Sequence, residues 1–333
     1  MKYDNPLTTI IRDGVSQQSI QAFTEVVNND KIFTISRLGG FDIELALLFF
    51  NNPNCFDDES VFKLKLFRAN NYPGYFDFTE NKKENFISYA QKLVLYHKDI
   101  DSATYAGKWF YDCIHEECPK NVETFLDVIL KNKTIFNGQF ITQALPFLNS
   151  FKIWAEGKKI LIISPLSQSI EYQYQRKNNI FKNYTFPNFE LLTYNTNLTW
   201  QHPNDTKEKL GLKTNNWHEE CERLTNEVYK LDFDIAFLSC GCYAMPLGYF
   251  IKNSMHKKSI YIGGALNILF GIYGGRYKHD FYNNFYNLNS RIDPFENEDV
   301  KKITAGRLWE NESVNAYFGY QEKEINYDTK PNV

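Results

Sequence analysis

The chain has 333 residues, of which 43% are hydrophobic and 17% aromatic, and its formal net charge is -3. This composition excludes an intrinsically disordered chain, and so small a net charge supplies no long-range field that would attract nucleic acid. The richest apolar run, 45–50, is far shorter than the roughly 20 residues of a membrane-spanning helix. We therefore expect one soluble domain over residues 1–333, with no nucleic-acid partner and no transmembrane segment.

The N-terminus and the cysteines indicate where the protein resides. Residues 1–6 lack the apolar core of a signal peptide, which predicts a cytoplasmic protein. Its six cysteines are then expected to be free thiols. Cys113 and Cys118 flank His115 in a suggestive cluster, but no second matched pair follows, so we assign no zinc site.

Short apolar runs alternate with segments of helical spacing, which is typical of a parallel sheet covered by helices. Five runs predict buried strands, at residues 31–36, 159–164, 189–194, 233–239 and 259–262. Helical spacing occurs at 86–96, 122–130 and 167–178, and again after Asn216, a residue type that caps helices. The sequence therefore predicts an α/β fold.

The arrangement we expect is Rossmann-like, with a mostly parallel sheet and helices on both faces. No strand is predicted between the first run and residue 159, so residues 52–150 are interpreted as a mainly helical insertion. The charged tail at 291–333 is expected to wrap the surface. Because parallel crossovers are right-handed, the loops after the strands gather along one edge, where open α/β sheets bind ligands.

The segment after the first predicted strand combines glycines with charged residues. Gly39 and Gly40 lie between Arg37 and the acids Asp42 and Glu44. The glycines let the backbone approach a ligand, and a carboxylate pair at this turn can bind a divalent cation that neutralises a diphosphate. The alternative is that the acids only favour the dipole of a starting helix, with Arg37 paired to one of them.

Two later loops also follow predicted strands. Ser164 and Gln168 stand at the start of a predicted helix, a place that suits a bound anion and equally suits a capped helix without a ligand. Gly241 permits close backbone approach, and Tyr243 offers a ring that can stack on a base or sugar. The flanking Cys240 and Cys242 are interpreted as packing residues, because no neighbouring His or Asn is present to activate a thiolate.

The segment 261–277 follows the last predicted strand and is rich in glycine. It contains Gly263, Gly264, Asn267 and Arg276, and the last of these offers a planar cationic group to a phosphate. It lacks the G-x-G-x-x-G dinucleotide motif, and the chain also lacks a P-loop. These absences argue against a dinucleotide-binding enzyme and a P-loop ATPase or kinase.

Four segments together carry a family resemblance. They are SRLGGFDIELA, KKILIISPLSQSIEYQYQ, DFDIAFLSCGCYAMPLGYFIK and SIYIGGALNILFGIYGGRY. In this order, over residues 30–290, the chain resembles the GT-D-type glycosyltransferase-like proteins of surface-polysaccharide gene clusters. The resemblance implies a Rossmann-like sheet, a UDP- or GDP-linked sugar donor, a glycan acceptor, and a divalent metal, Mn²⁺ or Mg²⁺, bound through a D-x-E motif.

The resemblance also implies roles for residues of this chain. Asp42 and Glu44 form the D-x-E motif as metal ligands, although aligning on Arg37 and Gly39 instead would place the two acids at Gly40 and Asp42. Asp42 belongs to both alignments. The candidate catalytic residues are Asp42, Glu44 and Asp280. The candidate donor-binding residues are Arg37, Gly39, Gly40, Ser164, Gln168, Gly241, Tyr243, Gly263, Gly264, Asn267 and Arg276.

Two other functions stay open at the level of the sequence. One is an S-adenosylmethionine-dependent methyltransferase acting on a glycan, which needs no metal. The other is a non-catalytic nucleotide- or sugar-binding subunit of a glycan-assembly complex. Assembly of the chain into a homo-oligomer also stays open.

Overall fold

The computed structural model describes residues 9–11, 17–38, 40–71, 73–105, 127–137, 145–197, 199, 206–272 and 286–296. Within these ranges eight strands form one sheet: β1 (Thr9–Ile11), β2 (Thr34–Leu38), β3 (Ser102–Tyr105), β4 (Thr134–Asn137), β5 (Lys159–Ile163), β6 (Glu190–Tyr194), β7 (Ile235–Leu238) and β8 (Lys258–Tyr261). Their order across the sheet is β1-β4-β3-β2-β8-β7-β5-β6, and every neighbouring pair is parallel. The predicted Rossmann-like α/β class is confirmed.

Helices connect these strands. In the described part of the chain they are α1 (Gln17–Asn28), α2 (Gly40–Asn51), α3 (Glu59–Asn71), α4 (Lys82–Asp99), α5 (Leu145–Trp154), α6 (Ser167–Gln175), α7 (Trp217–Tyr229), α8 (Ala244–Asn253) and α9 (Leu266–Leu269). The predicted cap of α7 is confirmed, since the Asn216 side chain accepts a hydrogen bond from the Glu219 amide over 2.9 Å. None of the described helices combines the length and apolar character needed to cross a bilayer.

All five predicted strands are present, and β1, β3 and β4 are additional strands that the sequence pattern does not predict. Each of these is short and contains polar residues, so none shows the continuous apolar run that identifies β5 and β7. Two of them lie within 52–150, where α3 and α4 agree with the predicted helical character. The chain therefore returns to the sheet twice inside the segment that we interpreted as a helical insertion. At the other end, residues 286–296 pack on the domain, and 297–333 lie outside the described residues.

The alternation of side chains along the strands gives the sheet two apolar faces. In β5, Leu161 and Ile163 point to the face covered by α2, α3, α4, α7 and α8, which we call the first face. Ile160 and Ile162 point to the second face, covered by α1, α5, α6 and α9. β5 and β7 are almost wholly buried between these layers, which is why they form continuous apolar runs in the sequence, whereas β6 at the edge of the sheet is only partly buried.

One position along the sheet differs from its neighbours in where the chain goes next. β8 lies between β2 and β7, which lead into α2 and α8 on the first face, whereas β8 leads into α9 on the second face. Where neighbouring strands send their following helices to opposite faces, a crevice opens at their carboxyl ends. The carboxyl end of β2 and the loops after β7 and β8 therefore border one crevice, which we call the β8 crevice.

Candidate functional site

Arg37, the fourth residue of β2, lies across the loop that follows β8. A Cβ atom at position 263 would be only 2.7 Å from Nη1 of Arg37, so the guanidinium rests against the backbone of Gly263. Gly263 has φ +62°, in the left-handed region that glycine adopts without strain. The absence of a side chain at 263 therefore serves two purposes, since it permits this turn and leaves room for the half-buried Arg37.

The loops after β7 and β8 are joined by a hydrogen bond at the β8 crevice. Ser239, directly after β7, donates a hydrogen bond from Oγ to the carbonyl oxygen of Gly263 over 2.9 Å. The next residue, Gly264, has no atom within 4 Å of the position that its Cβ would take. The loop is thus fixed at Gly263 and borders open space at Gly264, with a guanidinium beside it.

Asp42 lies in the first turn of α2 and is only 7% exposed. Burial raises the pKa of its carboxyl group to about 6, although the positive charge of Arg37 and a 3.4 Å hydrogen bond from Tyr89 act in the opposite direction. Within the part of the chain that the structure describes, Arg37 influences this carboxylate electrostatically without forming an ion pair with it. The fold therefore keeps a carboxyl group that is easily protonated beside an arginine.

Two tyrosines near Asp42 were not assigned a role from the sequence. Tyr89 comes from α4 and Tyr261 from the end of β8; burial raises the pKa of both phenols well above the usual range, and the charge of Asp42 adds to this effect. Both phenols therefore stay protonated. Tyr89 has no local signature, because an aromatic residue on the apolar side of a helix is typical of core packing.

Glu44 is turned away from Asp42 and contacts α3 instead. Residues two apart on a helix lie about 200° apart around its axis. Arg68 donates to both carboxylate oxygens of Glu44, Nη1 to Oε1 and Nη2 to Oε2, each over 2.9 Å, and Lys65 also donates to Oε1. With only 7% of its side chain exposed, Glu44 is a buried acceptor for two cations of α3.

The two acids of the D-x-E motif therefore do not converge on one point. A divalent cation shared between Asp42 and Glu44 does not fit this arrangement, because the Glu44 oxygens already accept from Arg68 and Lys65. Among the described residues, no group of three or more His, Cys, Asp or Glu side chains is arranged to hold a metal ion. Mn²⁺ or Mg²⁺ stays a prediction of the resemblance, and Asp42 is the acid placed beside Arg37.

The predicted anion site at the start of α6 is occupied by a carboxylate of the chain itself. Glu296 accepts hydrogen bonds from the backbone amide and the hydroxyl of Ser169. Ser164 is fully buried and its Oγ accepts from the Leu166 amide over 3.1 Å, while Gln168 is exposed. The interpretation without a ligand therefore describes this loop better than a donor-binding loop, although the N-cap residue, Leu166, forms no side-chain cap hydrogen bond and Glu296 accepts from the first turn instead.

The loop after β7 uses its glycine for internal packing. Gly241 has φ +56°, and a Cβ there would lie 2.4 Å from the carbonyl oxygen of Pro73. Close backbone approach is thus real, but the approaching group belongs to the chain. Tyr243 is 2% exposed, so its ring lies in the core and is not presented for stacking on a ligand, which corrects the prediction.

The cysteines of this loop are packing residues, as predicted. Cys240 and Cys242 are free and buried, and burial raises the pKa of both thiols well above the usual range. Thiols with so high a pKa are poor nucleophiles.

The remaining predicted residues divide between buried backbone and undescribed parts of the chain. Gly40 begins α2, and Asn267 is buried in α9. Gly39, Arg276, Asp280 and the Cys113–Cys118 cluster lie outside the described residues. Of the predicted site, the structure thus brings Arg37 beside Gly263 and within electrostatic reach of Asp42. Glu44 pairs with α3, Gln168 is exposed and Tyr243 is buried in the core.

Neither a protein-family model nor a curated protein nor a solved structure matches this chain. The class is therefore defined by fold and site alone. It is a doubly wound α/β protein with an arginine and a buried aspartate at a switch-point crevice of its sheet. Ligand binding in proteins of this architecture concentrates at such crevices.

Proposed function

We propose that the chain is a glycosyltransferase that transfers a sugar from a UDP- or GDP-linked donor to a glycan acceptor. The observation that supports this most strongly is the placement of Arg37. Its partly exposed guanidinium is held against Gly263 at the carboxyl end of β2. A guanidinium binds phosphate oxygens through paired hydrogen bonds, and the β8 crevice is where an open α/β sheet binds its ligand.

In the proposed reaction, the oxygen of an acceptor hydroxyl forms a bond to the anomeric carbon of the sugar. The bond from that carbon to the diphosphate oxygen breaks, and the nucleoside diphosphate leaves with the bonding electron pair. Arg37 stabilises the negative charge that develops on the leaving group. A fixed cation in a partly enclosed crevice does this better than water, because it does not have to reorganise during the reaction.

The proton of the acceptor hydroxyl needs a base, and we assign this role to Asp42. A carboxyl group with a pKa of about 6 can take up a proton near neutral pH more readily than an ordinary aspartate. The hydroxyl of Tyr89 donates to Oδ1 of Asp42 and holds the carboxylate in place. The other oxygen of Asp42 is then the one that receives the proton.

Thermal-shift measurements on the full chain test this proposal. The ligands are UDP, GDP, their sugar conjugates and S-adenosylmethionine. A nucleoside diphosphate is expected to stabilise the protein by about 2.7 kcal/mol at a hundredfold excess over its dissociation constant. Stabilisation by S-adenosylmethionine alone would favour the methyltransferase, and the absence of any shift with nucleoside diphosphates would overturn the proposal.

A second measurement separates catalysis from binding. The nucleotide sugar that binds is incubated with the protein and a glycan acceptor, and the released nucleoside diphosphate is quantified. Asp42→Asn should keep donor binding and lose release. Binding without release by the unmodified chain would indicate the non-catalytic subunit instead.

A further inference from the structure

We infer that this chain binds the diphosphate of its donor through Arg37, without a divalent cation bridging Asp42 and Glu44. This inference rests on the proposed function and states how the same site holds its donor. It differs from what the family resemblance implies, and it follows from the partners of the two acids and of the arginine.

The first observation is that Glu44 is already committed to other cations. Arg68 binds it through two parallel hydrogen bonds of 2.9 Å and Lys65 through a third, in a place where the Glu44 side chain is 7% exposed. A metal ion could use this carboxylate only after displacing the paired hydrogen bonds from Arg68, which would separate two positive side chains from Glu44 and place them beside the incoming ion. Buried charges that lose their partner are strongly unfavourable.

The second observation is that Asp42 does not replace Glu44 as a cation ligand. It lies on the other side of α2 from Glu44, since the two are separated by about 200° around the helix. Its one hydrogen bond from a described side chain comes from Tyr89. Asp42 therefore supplies only one carboxylate, the lower limit of the one or two that hold a phosphate-bound cation, and it cannot share that cation with Glu44.

The third observation is that Arg37 has the properties of a phosphate ligand. Among the residues that the structure describes, no carboxylate lies within ion-pair distance of its guanidinium. The group is half-buried, and Gly263, fixed by the Ser239 hydrogen bond, holds it from one side. Such a guanidinium keeps donors available for two oxygens of a diphosphate, and it supplies the positive charge that a metal would otherwise provide.

The fourth observation concerns the open space beside the loop that follows β8. A Cβ at Gly264 would meet no atom within 4 Å, and Gly264, unlike Gly263, does not have a positive φ. An alanine is therefore compatible with the fold at this position. It would, however, enter the open space one residue after Gly263, the glycine against which Arg37 lies, and we expect the diphosphate to enter that space.

Titration calorimetry tests the inference with UDP, GDP and inorganic pyrophosphate, each in EDTA and in MnCl₂. We expect a nucleoside diphosphate to bind in EDTA about as tightly as in Mn²⁺. Arg37→Gln should weaken binding in EDTA by about tenfold to a hundredfold, which is the usual effect of removing a charge-assisted hydrogen-bond donor. Gly264→Ala should weaken binding while leaving the unfolding midpoint unchanged, so the test does not depend on the folding of the Arg37 variant.

Arg176→Gln is the matched control, because Arg176 is also half-buried but lies at the carboxyl end of α6, where it donates to the Tyr172 hydroxyl. Arg176→Gln should bind nucleoside diphosphates as tightly as the unmodified chain does.

Binding that requires Mn²⁺, or that is unchanged in both Arg37→Gln and Gly264→Ala, would overturn the inference and leave the glycosyltransferase proposal standing. Binding of pyrophosphate without either nucleotide would support the Arg37 site and contradict the glycosyltransferase. No binding of any probe would overturn both.

Discussion

The hydroxyl of Tyr89 on α4 donates to Oδ1 of Asp42 on α2 over 3.4 Å, so that a phenol and a carboxyl group meet in the interior beside the β8 crevice. The pKa of Asp42 is nevertheless raised from 3.8 to about 6, because burial outweighs both this hydrogen bond and the charge of Arg37. The folded protein therefore carries an ionised aspartate at neutral pH at a cost in stability, which is typical of a residue kept for function.

Asp42→Asn should stabilise the protein at neutral pH. The folded state holds this proton more tightly than the unfolded state, so stability falls as the pH rises from about 4 to about 6. Above that window the cost approaches about 3 kcal/mol. Urea unfolding at pH 4 and pH 7.5 should show little difference between variant and parent at the lower pH and a more stable variant at the higher pH.

Asp30→Asn is the control for this experiment, since Asp30 is exposed. It should leave the pH dependence of unfolding as it is in the parent chain. If Asp42→Asn were less stable than the parent at pH 7.5, a buried carboxylate of raised pKa would be the wrong description of this site.

Glu44→Gln should destabilise the protein by about 2–4 kcal/mol, because Lys65 and Arg68 would lose the carboxylate that neutralises them in a poorly exposed place. The comparison is Glu59→Gln, which breaks an ion pair with Lys63 whose side chains are 59% and 69% exposed. The exposed pair of Glu59 and Lys63 should contribute less than about 1 kcal/mol to the free energy of unfolding. Chemical unfolding of the two variants measures the difference, and equal effects would contradict a buried role for Glu44.

Gly241→Ala and Gly157→Ala separate backbone strain from steric overlap. Both glycines have positive φ, but a Cβ at Gly157 meets no atom within 4 Å, whereas one at Gly241 would lie 2.4 Å from the Pro73 carbonyl oxygen. Gly157→Ala should lower the free energy of unfolding by about 1–2 kcal/mol, from the left-handed backbone conformation alone. Gly241→Ala should cost clearly more, because Pro73 O also accepts a hydrogen bond from the Cys242 amide and cannot move freely. Similar unfolding midpoints would show that the loop adjusts.

His97→Gln should change the acid stability of the protein. His97 is fully buried with Nδ1 2.7 Å from Leu93 O, and burial lowers its pKa from 6.5 to about 4. The unfolded state binds this proton more readily, so stability is lost as the pH falls from about 6.5 to about 4, by about 3 kcal/mol in total. The variant should lose less stability than the parent chain between pH 6.5 and pH 4 when unfolding is followed by circular dichroism.

The matched control is His256→Asn. His256 is exposed and has φ +52°, a conformation that asparagine tolerates. It should unfold in acid as the parent chain does. If the free energy of unfolding of His97→Gln fell with decreasing pH as steeply as that of the parent chain, another group would determine the loss of stability in acid.

Much of the fold was readable from the sequence because burial on both faces makes strand sequences continuously apolar. β5 and β7 are of this kind, and α7 follows a capping asparagine. The three missed strands carry no such signal. β3, for example, is Ser-Ala-Thr-Tyr and is specified by its pairing with β2 and β4 rather than by its own composition.

The sequence by itself determined that the chain is an α/β protein whose strands end along one edge, and it placed Arg37, Asp42 and Gly263 near the ends of predicted strands. The tertiary structure alone decided how these residues act. Gly263 leaves space for the guanidinium of Arg37, 226 positions earlier in the chain. Glu44 forms ion pairs with Lys65 and Arg68 of α3. A D-x-E triplet specifies two carboxylates but not the directions in which they point. Those directions depend on the helix that contains the two acids and on the cationic side chains of the neighbouring helix.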